Sequence, residues 1–173
     1  MKIFIVNGAP GAGKTTFEEM AETMVGENYC KHISSVDFVK EIAYECGWDG
    51  SKTDKNRKFL SDLKDLLTRW NNVPYEKIKE SIQIMRLAPT KPWCIFIDCR
   101  EPFEIDKLKK GLGAKTILIR RNEAEQKPTS NHADENVLNY TYDYEINNNG
   151  DKCDLLNEVE KFLKSEGIPI KII

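Results

Sequence analysis

Ile3 to Val6 is a short run of strand formers that leads straight into "NGAPGAGKTTF", where Gly8, Gly11, Gly13 and Pro10 fall between positions 8 and 13. Glycine has conformational freedom to lose on folding and offers no side chain to bury, so a purely structural turn rarely needs three of them this close together. Such a stretch is expected to wrap around something. From Thr16 the pattern turns helical at once: Phe17, Met20, Ala21, Met24 and Val25 recur at i, i+3, i+4, i+7 and i+8.

That succession of strand, glycine loop and helix gives the eight residues Gly8, Ala9, Pro10, Gly11, Ala12, Gly13, Lys14 and Thr15 a chemical meaning. They match G-x-x-x-x-G-K-[ST], the Walker A pattern, in the context that makes it specific. The backbone N–H groups of such a loop turn inward around nucleotide phosphates, helped by the positive end of the following helix. Lys14 is expected to reach the β- and γ-phosphates of ATP. Thr15 is expected to complete the shell of a Mg²⁺ ion, and Thr16 continues the phosphate-binding stretch.

The rest of the chain sets limits. With 173 residues and 40% hydrophobic composition there is room for one compact domain with a real core. A net charge of −2, from 26 basic and 28 acidic residues, gives no broad positive field for nucleic acid or an anionic membrane. The apolar run before Gly8 is too short for a signal peptide and no long apolar span occurs, so a cytoplasmic protein is expected. Cys30, Cys46, Cys94, Cys99 and Cys153 form an odd set without C-x-x-C spacing, which points to buried reduced thiols.

Segments alternate along the chain. "CKHIS" is a strand candidate, followed by a helix carrying Phe38, Val39, Ile42, Ala43 and Cys46. Phe59, Leu60, Leu63, Leu66, Leu67 and Trp70 mark a long helix from about Asp54, and Pro74 opens another. "WCIFID" and "KTILI" are apolar on both faces, as covered parallel strands are. Pro102 suits the first turn of a helix, 122 to 136 is polar without period, "YDYEI" is a further strand, and Asp151 can cap a closing helix. The order predicts an α/β fold, a parallel sheet with helices on both faces. Ligands in such sheets sit beyond the carboxyl ends of the strands, where the glycine loop, Asp98 and Arg120 converge.

The class of nucleotide protein narrows by elimination. Neither N-K-x-D nor D-x-x-G occurs, which argues against a GTPase, and no L-S-G-G-Q signature is present. Asp98 ends a Walker B-like strand but is followed by Cys99, where a water-activating ATPase usually carries Glu. A small-molecule kinase fits better than a hydrolytic motor. Phosphoryl transfer needs cations around the moving charge. Of the six arginines, Arg100, Arg120 and Arg121 lie just past strand ends, whereas Arg69 and Arg86 sit late in helices and read as surface residues.

"DCRE" at 98 to 101, "ILIRR" at 117 to 121 and the stretch from Asn131 to Leu163 resemble the C-terminal half of P-loop kinases of the deoxynucleoside monophosphate kinase and phosphomevalonate kinase group. "SSVDFVKEIA" with "KNRKFLSDL" is similar to that group's acceptor-side segments. The resemblance implies a three-layer P-loop NTPase fold of the nucleoside monophosphate kinase type, a five-stranded parallel sheet with helices on both faces, with an acceptor-binding helical region at about 36–88 and a short lid at about 121–136. It implies that Asp98 helps hold Mg²⁺ through water, and that Arg100 binds the acceptor phosphate or the transferring group. Asp37, Lys40 and Arg57 would line the acceptor site; a helix cap is an equal account of Asp37, and a solvated helix face of the other two. The loop Asn147 to Gly150, Asn149 included, would lie near the adenine, unless it is a bare turn. Asp134 and Glu135 would orient the lid, and His132 reads as a surface residue. The group's lids usually carry arginines, but 122 to 136 has none and offers only Lys127, so Arg120 and Arg121 would have to supply that charge.

The function expected is therefore transfer of the γ-phosphoryl group of ATP·Mg²⁺ to a small phosphorylated acceptor, a nucleoside or deoxynucleoside monophosphate, with Lys14, Arg100, Arg120 and Arg121 stabilising the transfer. Two alternatives stand beside it. One is a kinase of another small metabolite, hydroxyl acceptors of the shikimate type included, with Asp37 as the carboxylate near the attacking oxygen. The other is an ATP-binding module without turnover. The sequence does not place the contacts that select base or sugar, nor the role of the tail "GIPIKII".

Overall fold

The computed structural model describes residues 1–51, 53–126 and 136–171. The elements run β1 (Lys2–Asn7), α1 (Lys14–Val25), β2 (Cys30–Ser34), α2 (Asp37–Glu45), α3 (Asp54–Asn71), α4 (Val73–Leu87), β3 (Cys94–Asp98), α5 (Pro102–Leu112), β4 (Lys115–Arg120) and α6 (Asn122–Glu125). A 3₁₀ turn (Val137–Asn139), β5 (Tyr144–Asn147) and α7 (Lys152–Ser165) follow. The five strands form one parallel sheet in the order β2-β3-β1-β4-β5 with helices on both sides, the expected architecture.

The chain divides into two compact units, residues Met1–His32 with Ala88–Ile173, and Ile33–Leu87. In the first, side chains alternate across the sheet with a period of two. Phe4, Val6, Phe96, Ile117 and Ile119 face one way and meet Phe17 and Ala21 of α1 and Val159 and Phe162 of α7. The rings interlock there, with Phe4 at 4.9 Å from Phe162 edge-on and Phe17 at 5.6 Å from Phe96. Ile3, Ile5, Ile95 and Ile97 are the alternate residues, equally buried, and α5 contributes buried Ile105 and Leu108. Burying an aliphatic or aromatic side chain of this size contributes about 1.5–3 kcal/mol each, which is why the sheet rather than any loop anchors this unit.

The helix ends follow local chemistry. Asp151 caps α7 by accepting from the N–H groups of Cys153 and Asp154 at 2.7 and 3.0 Å, and Asp154 returns a bond to the Asp151 N–H, a complete capping box. Beyond α7, Ile168 is buried and the Lys171 N–H donates to the Met24 carbonyl at 2.7 Å, so the tail packs on the end of α1.

The second unit is helical. Val39 and Ala43 of α2 and Ile78 and Ile82 of α4 are buried, and Thr53 caps α3. α3 carries the expected apolar stripe, yet none of its residues is fully buried and Trp70 is 82% exposed.

Two sequence expectations need correction. The polar stretch from 122 is not irregular at its start, because Asn122–Glu125 forms α6. The cysteines are not uniformly buried: Cys30, Cys94 and Cys99 are, but Cys46, which ends α2, and Cys153, in the first turn of α7, are exposed. Lys127, His132, Asp134 and Glu135 lie outside the described residues.

Candidate functional site

The strand order reverses at β1, which lies between β3 and β4, so its carboxyl end is the topological switch point of the sheet. The glycine loop starts there. In register beside it, Val6 pairs with Asp98 and Arg120 pairs with Asn147, so the loop, Asp98 to Arg100, Arg120 to Arg121 and Asn147 to Asn149 share one edge. These sequence-predicted residues all belong to the first unit.

Two glycines of the loop are required by close approach. A Cβ on Gly8 would stand 2.7 Å from the carbonyl oxygen of Ile119 on β4. Gly13 has φ of 97°, in the left-handed region, and a Cβ there would run into the Asn148 carboxamide. Asn148 lies within the Asn147 to Gly150 loop expected from the sequence, where Asn149 is the residue singled out. Its Nδ2 donates to the Ala12 carbonyl at 2.7 Å and its own N–H donates to the Arg120 carbonyl at 2.8 Å, fastening the β5–α7 loop to the glycine loop. Asn149 accepts from the Asn122 N–H at 2.8 Å instead, holding the start of α6. The run Asn147-Asn148-Asn149 was the signal; which of three identical side chains reaches the loop depends on the turn, not on composition.

Lys14 opens α1 and its ammonium folds over the loop, donating to the Gly8 carbonyl at 2.7 Å and approaching the Ala9 carbonyl at 3.4 Å. Thr15 and Thr16 continue the first turn of α1, with Thr15 exposed. One α1 turn after Lys14 stands Glu18, only 5% exposed. Burial, reinforced by the charge of Asp98 and opposed by Lys14, pushes its carboxyl from 4.5 up to about 8. Glu18 thus lies within the fields of both Lys14 and Asp98, and near neutral pH it carries a proton. Glu18 was legible as a charge three and seven residues before Ala21 and Val25, on the edge of the buried helix face.

Asp98 ends β3 with its Oδ1 buried, and Arg100 follows, exposed. Arg120 is held by α6: its Nε and Nη2 meet Glu125 at 2.6 and 2.9 Å, and Nη1 approaches Glu145 at 3.5 Å. The hydrogen bond to Glu125 raises the Arg120 pKa, and the same bond lowers that of Glu125. Arg121 pairs with Glu123 at 3.1 Å. Both arginines therefore sit against acidic partners at the base of the polar stretch.

Asp37, Lys40 and Arg57 belong to the second unit. Asp37 is the first residue of α2; it accepts from the Ser34 N–H at 2.7 Å and lies 3.4 Å from the Lys40 ammonium. Val36, not Asp37, is the N-cap residue, and its side chain makes no cap. Arg57 is exposed in the first turn of α3.

Among the described residues no cluster of three or more His, Cys, Asp or Glu is arranged to hold a metal, and no helix is long and apolar enough to cross a membrane. No family model and no curated protein sequence matches the chain. Solved structures do. Shikimate kinase from Aquifex aeolicus matches with a TM-score of 0.58 at 11% identity, covering 97% of this chain and 99% of that one. A sugar kinase from Janibacter sp. HTCC2649 matches with a TM-score of 0.56 at 14% identity, over 97% and 95%. Dephospho-CoA kinase from Campylobacter jejuni matches with a TM-score of 0.55 at 20% identity, over 95% and 96%. The chain shares the fold of these P-loop kinases across nearly its whole length.

Proposed function

We propose that this protein is an ATP-dependent small-molecule kinase. The observation that carries the reading is the loop from Gly8 to Thr15, folded at the switch point of the sheet with the Lys14 ammonium lying on its carbonyls. The Gly8 N–H donates to Asn7, the Ala12 N–H donates to Ala9, and Pro10 has no N–H, so the amides that would serve a phosphate are those of Gly11 and of Gly13 to Thr16. A bound phosphate offers Lys14 a charged acceptor in place of neutral carbonyls, a stronger bond. The fold shared with shikimate, sugar and dephospho-CoA kinases supports the same reading.

Thr15 and Asp98 are the residues that would hold Mg²⁺. A hydroxyl and a carboxylate are hard oxygen donors of the kind Mg²⁺ takes, and the absence of a larger ligand cluster among the described residues suits an ion that keeps several waters and phosphate oxygens. When bound, the ion neutralises charge on the β- and γ-phosphates. Arg100, Arg120 and Arg121 supply the remaining cations at the same sheet edge, and their number favours an acceptor that itself bears phosphate, a nucleoside or deoxynucleoside monophosphate. Asp37, Lys40 and Arg57 are the acceptor-side candidates. A second reading, transfer to a hydroxyl, is favoured by the exposed Asp37 carboxylate at the head of α2, which suits a general base.

The test is ADP formation from MgATP across nucleoside monophosphates, shikimate and sugars, with a no-acceptor control. Acceptor-dependent ADP is expected, with Lys14→Ala reducing turnover about 10²- to 10³-fold while melting unchanged. Undiminished turnover by Lys14→Ala would overturn the reading, and the acceptor that responds separates phosphate from hydroxyl transfer.

A further inference from the structure

Asn7, the last residue of β1, is fully buried immediately before the glycine loop. Its Oδ1 accepts from the Gly8 N–H at 2.8 Å. Its Nδ2 donates to the Arg100 carbonyl at 3.3 Å and to the Tyr142 hydroxyl at 2.8 Å. Tyr142 in turn donates to the Val137 carbonyl at 2.9 Å. The orientation is fixed by the partners: Gly8 presents a donor and Arg100 an acceptor, so the carboxamide fits one way round, with its oxygen and both N–H groups engaged. The bonds run head to tail from the loop to Val137, an arrangement in which each polarises the next.

A strand-end residue with these bonds does more than close a turn. Nothing in a five-stranded sheet needs a buried carboxamide here, since Val6 and Ile5 before it are apolar and equally buried. What the carboxamide joins, directly or through Tyr142, are three backbone points: the first turn of the glycine loop, the backbone of Arg100, and the 3₁₀ turn that begins at Val137. We propose that Asn7, acting through Tyr142, is a positioning residue that sets Arg100 and the 137–142 segment by the state of the glycine loop. This rests on the reading of that loop as the nucleotide site. An apolar side chain at position 7 would leave the Gly8 N–H, the Arg100 carbonyl and the Tyr142 hydroxyl without this partner in a buried place.

The experiment compares amide hydrogen exchange of wild type, Asn7→Leu, Tyr142→Phe and a core control, Ile146→Val, each with and without MgATP, alongside calorimetric MgATP affinity. Asn7→Leu is expected to speed exchange in segments 99–101 and 137–142 by about tenfold beyond the control, the loss of one or two buried hydrogen bonds. Tyr142→Phe is expected to do so in 137–142 alone. In Tyr142→Phe, which leaves the glycine loop's own bonds in place, MgATP affinity should stay within about twofold of wild type while MgATP protection of 137–142 disappears, a separation that general destabilisation would not produce. Wild-type protection patterns in Asn7→Leu, or exchange raised evenly across the sheet as in the control, overturn the proposal. If wild type binds no MgATP, the nucleotide reading fails by itself. The ligand-free exchange then still decides whether Asn7 holds the two segments.

Discussion

Glu18 makes the sharpest demand on the structure, because its buried carboxyl beside Lys14 and Asp98 is pushed from 4.5 to about 8 by burial first and by the Asp98 charge second. In the unfolded chain the group ionises near its ordinary value; in the folded chain it keeps its proton until well above neutrality. A raised carboxyl pKa contributes stability that is fully present below 4.5 and is lost as pH rises through 8. At about 1.4 kcal/mol per pH unit the loss is ~3 kcal/mol at pH 7 and approaches ~5 kcal/mol at pH 9. Glu18→Gln keeps the shape of the protonated acid and removes the titration. Denaturant unfolding at half-unit steps from pH 5 to 9 should show wild type losing ~4 kcal/mol more than the variant over that range. Because Lys14 opposes the shift, Lys14→Ala should extend the loss to higher pH and enlarge its total while leaving its slope per pH unit unchanged. Parallel stability curves for wild type and Glu18→Gln would refute the reasoning, since they would mean that the carboxyl is either solvated or ionised in the folded protein. The proton matters for Lys14 as well: an uncharged Glu18 does not draw the ammonium away from the Gly8 carbonyl as a buried carboxylate would.

At the opposite end of the sheet, Glu166 is buried where Lys2, Lys115 and Tyr144 all donate to it, and although burial pushes its carboxyl up, these bonds outweigh it and hold the group at about 2. This stability is present above 4.5 and is lost as pH falls through 2, so Glu166→Gln should cost ~2 kcal/mol at pH 7, after discounting ~3 for two half-exposed lysines, and almost nothing at pH 2; an equal cost at both pH values would contradict it. For Arg120, a double-mutant cycle with Glu125 in the acceptor-dependent ADP assay should give strong coupling, Glu125→Gln changing turnover severalfold in wild type and not at all once Arg120→Gln is present; additive effects would show that α6 does not act through this arginine.

The parts of this molecule that were legible in the sequence are those where one local rule dominates. The apolar runs of "KIFIV", "CIFID" and "KTILI" fix covered parallel strands, and the glycine loop between strand and helix fixes which sheet end carries the site. Asp151 caps α7 because a short acidic side chain ahead of an apolar periodic run has few better uses. The polar connections that complete the site were not legible, because they depend on atoms brought together from distant positions. Asn7, Asn148 and Tyr142 are ordinary polar residues in sequence, and their roles arise from partners 93, 136 and 135 positions away for the bonds Asn7–Arg100, Asn148–Ala12 and Asn7–Tyr142.

The same distinction bears on how the site would work. The arginines were read as cations aimed at phosphate, but Arg120 and Arg121 lie against Glu125 and Glu123 of a helix that the polar pattern did not announce. A phosphate drawing on Arg120 must compete with a bidentate carboxylate, and charge-assisted pairs of this kind are the strongest hydrogen bonds a side chain makes. Arg120 is thus held in a defined pose before any ligand arrives, so that less rotamer freedom remains to be lost when one binds. The Asn122 N–H bond to Asn149 ties the same helix to the β5–α7 loop. Asn148, next along, ties that loop to Ala12 in the glycine loop. From α6 to the glycine loop the chain of contacts is continuous within one unit. A displacement of Glu125 from Arg120 would therefore disturb the base of a chain of bonds that ends at Ala12 in the glycine loop, and the double-mutant cycle measures the first link of it.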